Sequence, residues 1–157
     1  MSEQTPATTK PLDTEYESAD ESPGFLLWQV ANIWQRRQRA ALKPLDLTHV
    51  QFVLLMVLSW ETRHDDGGLS QIELANKANT DPMMTSQVLR ALAARDLVER
   101  LASPHDTRAN LIRVTPAGRA LAALALPVVE AIDREFFGPS AGDAVTVLRA
   151  VARRNAK

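Results

Sequence analysis

The chain has 157 residues, 45% of them apolar and 24% charged, enough for one domain with its own core. It holds no cysteine, which excludes disulfides, thiolate metal sites and a cysteine redox switch. No apolar run reaches the length of a bilayer span and no basic-then-apolar leader is visible at the start, so a cytoplasmic location is expected. The net charge of −1 is unevenly spread: residues 1–23 hold six acids and one base, leaving a mildly basic body of 17 bases and 13 acids.

Residues 1–23 are rich in Thr, Pro, Ser and Glu and poor in large apolar side chains, so they read as a disordered acidic tail. Leu27, Val30, Ala31 and Trp34 recur at helical spacing, widened by Leu26 and Ile33, and predict a first helix over 25–42. Arg36, Arg37, Arg39 and Lys43 crowd its end and Pro44 stops it. Thr48 is set to cap a second helix whose run from Phe52 to Trp60 suits the centre of a core. After the polar loop at His64, Ser70 and Glu73 have the spacing of a capping box, and Ile72, Leu74, Ala75 and Ala78 are expected inward on the third helix.

Asp81-Pro82 is a favoured cap-and-start pair for a fourth helix. Thr85, Val88, Leu89 and Leu92 then face in, and Met83, Met84, Ser86, Gln87, Arg90 and Ala94 face out. Residues 98–102 and 111–115 alternate as short strands around a turn-rich tip that contains Asp106 and Arg108. Thr115-Pro116 repeats the cap-and-start pair for a long helix to about Phe137, with a bend expected near Pro127. A last helix from about Ser140 is expected to bury Ala144, Val147, Leu148 and Val151.

A mainly α chain in which a capped helix with a polar outer face precedes a small antiparallel hairpin has the layout of a winged helix-turn-helix. With Leu47-Thr48-x-x-Gln51-Phe52, Asp106-x-Arg108 and Thr115-Pro116-x-Gly118-Arg119 in that order, it resembles the MarR family of bacterial transcriptional regulators. The resemblance covers residues 25 to about 155. It implies a single domain over 24–157, with the winged module at 48–115 and dimerisation helices at 24–44 and 116–157. It further implies a homodimer on a pseudo-palindromic operator in double-stranded DNA, most simply as a repressor, released in many members by a small aromatic carboxylate or phenol. The family commonly has glycine where this chain has Asp96, and Asp tolerates the left-handed conformation expected there.

On this reading Ser70, Met84, Ser86, Gln87, Arg90 and Arg108 meet DNA. Gln suits adenine, Arg suits guanine, and an arginine at a hairpin tip can enter a narrow minor groove. One of Met83 and Met84 is expected at a thymine methyl or a sugar edge. Asp106 either supports the wing by holding an arginine or forms an Asx turn. Trp28, Trp34, Arg37 and His49 are the candidates for an aromatic-acid pocket, against the plainer readings of packing for the tryptophans and capping for His49. His49, His64 and His105 are scattered, so neither a metal nor any other cofactor is expected, and a metal-responsive regulator is the weaker alternative. No nucleophile-base pair or phosphate loop suggests an enzyme. A winged-helix module for protein–protein contact without operator binding is the remaining alternative.

Overall fold

The computed structural model describes residues 13–64, 67–102 and 110–156, and among these it has six α-helices and one three-stranded antiparallel sheet. Chain contacts divide it into two units, and the boundary falls after Trp34, inside the first helix α1 (Pro23–Leu42) rather than ahead of it.

In the first unit a 3-10 turn at Ala19–Glu21 leads into α1, where the Ser22 hydroxyl accepts the Phe25 N–H at 3.3 Å. Phe25 and Trp28 stack with ring centroids 6.5 Å apart, and both stay exposed, as do Leu27 and Val30. The larger part of the sequence read as an acidic tail, residues 1–12, lies outside the described residues.

The second unit carries the core. α2 (His49–Glu61) opens on a capping box: Gln51 N–H donates to the Thr48 hydroxyl at 3.2 Å and Thr48 N–H donates to Gln51 Oε1 at 3.0 Å. Its Leu54, Leu55 and Leu58 are fully buried and meet Leu74 of α3 (Gln71–Ala78) and Leu89 and Leu92 of α4 (Pro82–Ala93). Trp60 departs from the expected core run; it is exposed, with the Arg63 guanidinium 4.3 Å from its ring centroid.

The sheet has the order β1 (Leu69–Ser70), β3 (Asn110–Val114), β2 (Val98–Ala102), with Leu69 opposite Ile112 and Val98 opposite Val114. Two residues are too few to show alternation, so β1 was not legible in the sequence. It forms where the chain passes Gly68, at which a β-carbon would lie 2.6 Å from the Ile112 carbonyl oxygen. Across β2 and β3, Arg113 donates twice to one Glu99 oxygen, at 2.8 and 2.7 Å.

α5 (Pro116–Phe137) stays helical through Pro127. In α6 (Ala141–Asn155) the stripe expected to be buried is exposed: Val147, Leu148 and Val151 all face out, and only Ala144 is half covered. The helical spacing of these residues holds, but the described residues supply no surface that covers them.

Candidate nucleic-acid interface

The helix-turn-helix is built from α3, a three-residue turn (Asn79, Thr80 and Asp81) and α4. α3 ends on Asn79 in the left-handed conformation (φ 51°), which frees the chain to reverse while Thr80 N–H closes on the Ala75 carbonyl at 2.9 Å. The turn is held from inside by Thr85. Its hydroxyl donates to the Asp81 carbonyl at 2.8 Å, so the 2.7 Å contact with Thr80 Oγ1 is donated by Thr80. A fully buried threonine with both roles filled costs little and holds the turn between the helices. Gln71 Nε2 also reaches the Pro82 carbonyl at 3.4 Å, tying the two helix starts together.

The outward face of α4 is as the spacing predicts. Gln87 and Arg90 are exposed, Ser86 is half-buried, and none of the three forms an ion pair among the described residues. Among the described residues Arg90 makes one long bond, Nε to the Ser86 carbonyl at 3.4 Å, which does not engage its terminal nitrogens. Met83 and Met84 are both outward, at 73% and 40% exposure. Ile72 of α3, expected inward, is 69% exposed: it sits on the second helical residue, ahead of the turn that Leu74 and Ala75 press into the core. Ser70 caps α3 and donates its hydroxyl to Glu73 Oε2 at 2.7 Å. That bond, with a second from the Ser70 N–H, holds the Glu73 carboxyl below its usual range. The Ser70 hydroxyl proton is therefore engaged within the protein.

Behind the hairpin, one junction anchors α4, the sheet and α5. Asp96 takes the left-handed conformation (φ 55°), as expected for a residue in the place of a family glycine. The Thr115 hydroxyl donates to the Asp96 carbonyl at 2.6 Å and accepts the Gly118 N–H at 3.0 Å. Arg119 then reaches the end of α2, with bonds to the Ser59 carbonyl at 3.1 Å and the Thr62 hydroxyl at 3.3 Å. The spacing of Thr115, Gly118 and Arg119 marks a helix start; their part in joining three elements depends on contacts remote in sequence. Asp106 and Arg108 lie outside the described residues.

The residues expected at an aromatic-acid pocket fall on both sides of the unit boundary. Trp28 is exposed and Trp34 half-buried in the first unit. In the second, Arg37 meets Glu135 at 3.4 Å and lies 5.6 Å from the centroid of the Phe136 ring, both on α5. His49, half-buried at the start of α2, stacks on Phe52 with 6.4 Å between ring centroids. Burial lowers its pKa from the usual value near 6.5, Asp133 opposes that effect and Arg39 adds to it. Sequence reasoning missed Gln38, fully buried in α1, whose Nε2 donates to Asp133 at 2.8 Å. Among the described residues no group of three or more His, Asp or Glu is placed to hold a metal, and no single helix is long and apolar enough to cross a membrane.

This arrangement matches known proteins. The sequence model of the MarR family matches residues 47–109. The chain is 41% identical over 124 residues to an HTH-type transcriptional regulator of Bacillus subtilis, YdcH, covering 79% of this chain and 84% of that one. The chain belongs to the MarR family. Among solved structures of this family, CouR of Rhodococcus jostii bound to p-coumaroyl-CoA superposes with a TM-score of 0.77 at 28% identity, over 90% of this chain and 96% of that one. Rv2887 of Mycobacterium tuberculosis, a transcriptional repressor, is similar in its complex with DNA (TM-score 0.64, 32% identity, 83% and 97% covered). It is similar also in its complex with salicylic acid (TM-score 0.65, 35% identity, 85% and 99% covered). The small antiparallel sheet beside α4 is accordingly the root of the wing of a winged helix-turn-helix, and the named relatives are transcription regulators.

Proposed function

We propose that this MarR-family chain is a homodimeric reader of double-stranded DNA that represses transcription at a pseudo-palindromic operator and is released by a small aromatic carboxylate or phenol. The observation that carries the reading is the outer face of α4, where Ser86, Gln87 and Arg90 stand at groove-reading spacing with their side chains open to a partner. In this reading Met84 joins them, Ser70 marks the backbone edge of the surface, and Arg108 of the hairpin tip meets the minor groove with Asp106 as its support. Residues 24–44 and 116–157 supply the dimer contacts; the stripe of Val147, Leu148 and Val151, apolar, exposed and on one helix, supports this.

Release by an aromatic acid is supported by what relatives hold: Rv2887 has been solved with salicylic acid and CouR with p-coumaroyl-CoA. Trp28, Trp34, Arg37 and His49 are the residues we assign to it. A cytoplasmic location and the lack of catalytic activity follow from the regulator role and belong to the same proposal.

The deciding experiment is selection of bound duplexes from a random pool, followed by affinity measured against salt. A dimeric DNA reader yields a two-fold symmetric consensus and an affinity that falls steeply as salt rises. Recovery of no sequence, with no salt-dependent retention of any duplex, would favour a winged helix used for protein contact alone.

A further inference from the structure

We propose that Met83 reads the 5-methyl group of a pyrimidine in the major groove, so that each half of the operator places a thymine beside the base pairs met by Gln87 and Arg90. The inference rests on the DNA-binding reading above and adds a specificity-determining residue to it. Methionine is ordinarily a buried residue, yet Met83 is 73% exposed, well above its neighbour Met84 at 40%. Spaced by four and then three residues, Met83, Gln87 and Arg90 form one stripe along α4. Met84 is rotated by one residue, toward the side on which Thr85 and Leu89 enter the core.

The first turn of α4 has little to offer a phosphate. Pro82 has no N–H, and the N–H groups of Met83 and Met84 donate to the Asp81 carboxylate at 2.9 and 3.0 Å. The Thr85 N–H goes to the Asp81 carbonyl at 2.8 Å. A helix N-terminus attracts phosphate through unbonded amides and a positive dipole end; here the amides are taken and a carboxylate sits on the dipole. This end of α4 is therefore suited to the groove floor rather than to the DNA backbone. On that floor the apolar group a base pair displays is the thymine methyl.

Geometry limits where that thymine lies. Seven residues separate Met83 from Arg90, about 10 Å along a helix axis, which spans roughly three base-pair steps. The methyl falls within about three base pairs of the guanine expected opposite Arg90, with the adenine of Gln87 between them.

The test uses the full chain and the operator it selects. Each thymine of the half-site is replaced in turn by deoxyuridine, which removes only the methyl. At one thymine per half-site the replacement should weaken wild-type binding about fourfold, the factor expected for exposing one methyl-sized group. Met83→Ala, which keeps the strongest helix former in α4, should bind the thymine and uracil duplexes equally, and Met84→Ala should still discriminate. Indifference of the wild type to every replacement, or a loss in Met83→Ala as large as in the wild type, overturns the assignment. Failure of the wild type to select any duplex is a different result: it overturns the DNA-reading function itself and the role of Met83 with it.

Discussion

A β-carbon added to Gly118 would lie 2.0 Å from the carbonyl oxygen of Leu97. That carbonyl also accepts the Thr115 N–H at 3.1 Å, so it cannot retreat without breaking the start of α5 away from the end of α4. The glycine is required by this approach and not by its backbone angles, since it lies inside a helix. Gly118→Ala is expected to lose about 1–3 kcal/mol, the usual cost of overpacking a tight contact, read as a fall in the urea midpoint. Asp96 offers the complementary case. Asp96→Gly should stay within about 1 kcal/mol of the wild type and Asp96→Val should lose more than that, because only the glycine fits the left-handed conformation without strain. Equal stability of both Asp96 variants would sink this account.

Arg90→Ala should weaken binding to the selected operator by about 1–3 kcal/mol and to unrelated duplex much less, if the guanidinium reads a base. Among the described residues its terminal nitrogens have no partner, and Nε is only loosely held by the Ser86 carbonyl. Competition titrations on both duplexes decide the point. The same loss on each would make Arg90 a phosphate contact.

His49 should make stability fall on mild acidification. Burial lowers its folded pKa below the ordinary value of about 6.5, so the unfolded chain takes up the proton first as pH drops. The contribution is complete above about pH 6.5 and is lost as pH falls below it. His49→Gln should flatten the stability profile over that window. Asp133→Asn should steepen it, since Asp133 works against the lowering. Parallel profiles for all three proteins would show that His49 does not titrate as described.

Salicylate and related aromatic acids are expected to bind and to lower operator affinity together. The two recognition helices of a dimer must reach grooves about 34–36 Å apart, so a small change in their spacing spoils both contacts. A ligand achieves this only by preferring one spacing over the other. Fluorescence of Trp28 and Trp34, followed in parallel with titration of the protein–operator complex, reports both events. Binding that leaves operator affinity unchanged would refute the coupling.

The sequence by itself determined four of the helix starts that a side chain caps, though not the one at Ser22 ahead of α1. Thr48, Ser70, Asp81 and Thr115 act on amides two or three residues away, so spacing alone states the bond, and each is present. It also determined which face of α4 turns outward, because Thr85, Leu89 and Leu92 repeat at helical spacing and are all buried. The tertiary structure decided what depends on neighbours remote in the chain. Strand β1 exists because β3 offers it a partner. Ile72 and the stripe of α6 are apolar by composition and exposed because no apolar surface among the described residues packs over them, and the exposed Trp60 ring is met by the Arg63 guanidinium. The difference between Met83 and Met84 is of the same kind: adjacent residues of one type differ by the rotation of a single helical step, and the core beneath α4 leaves Met83 the more exposed of the two.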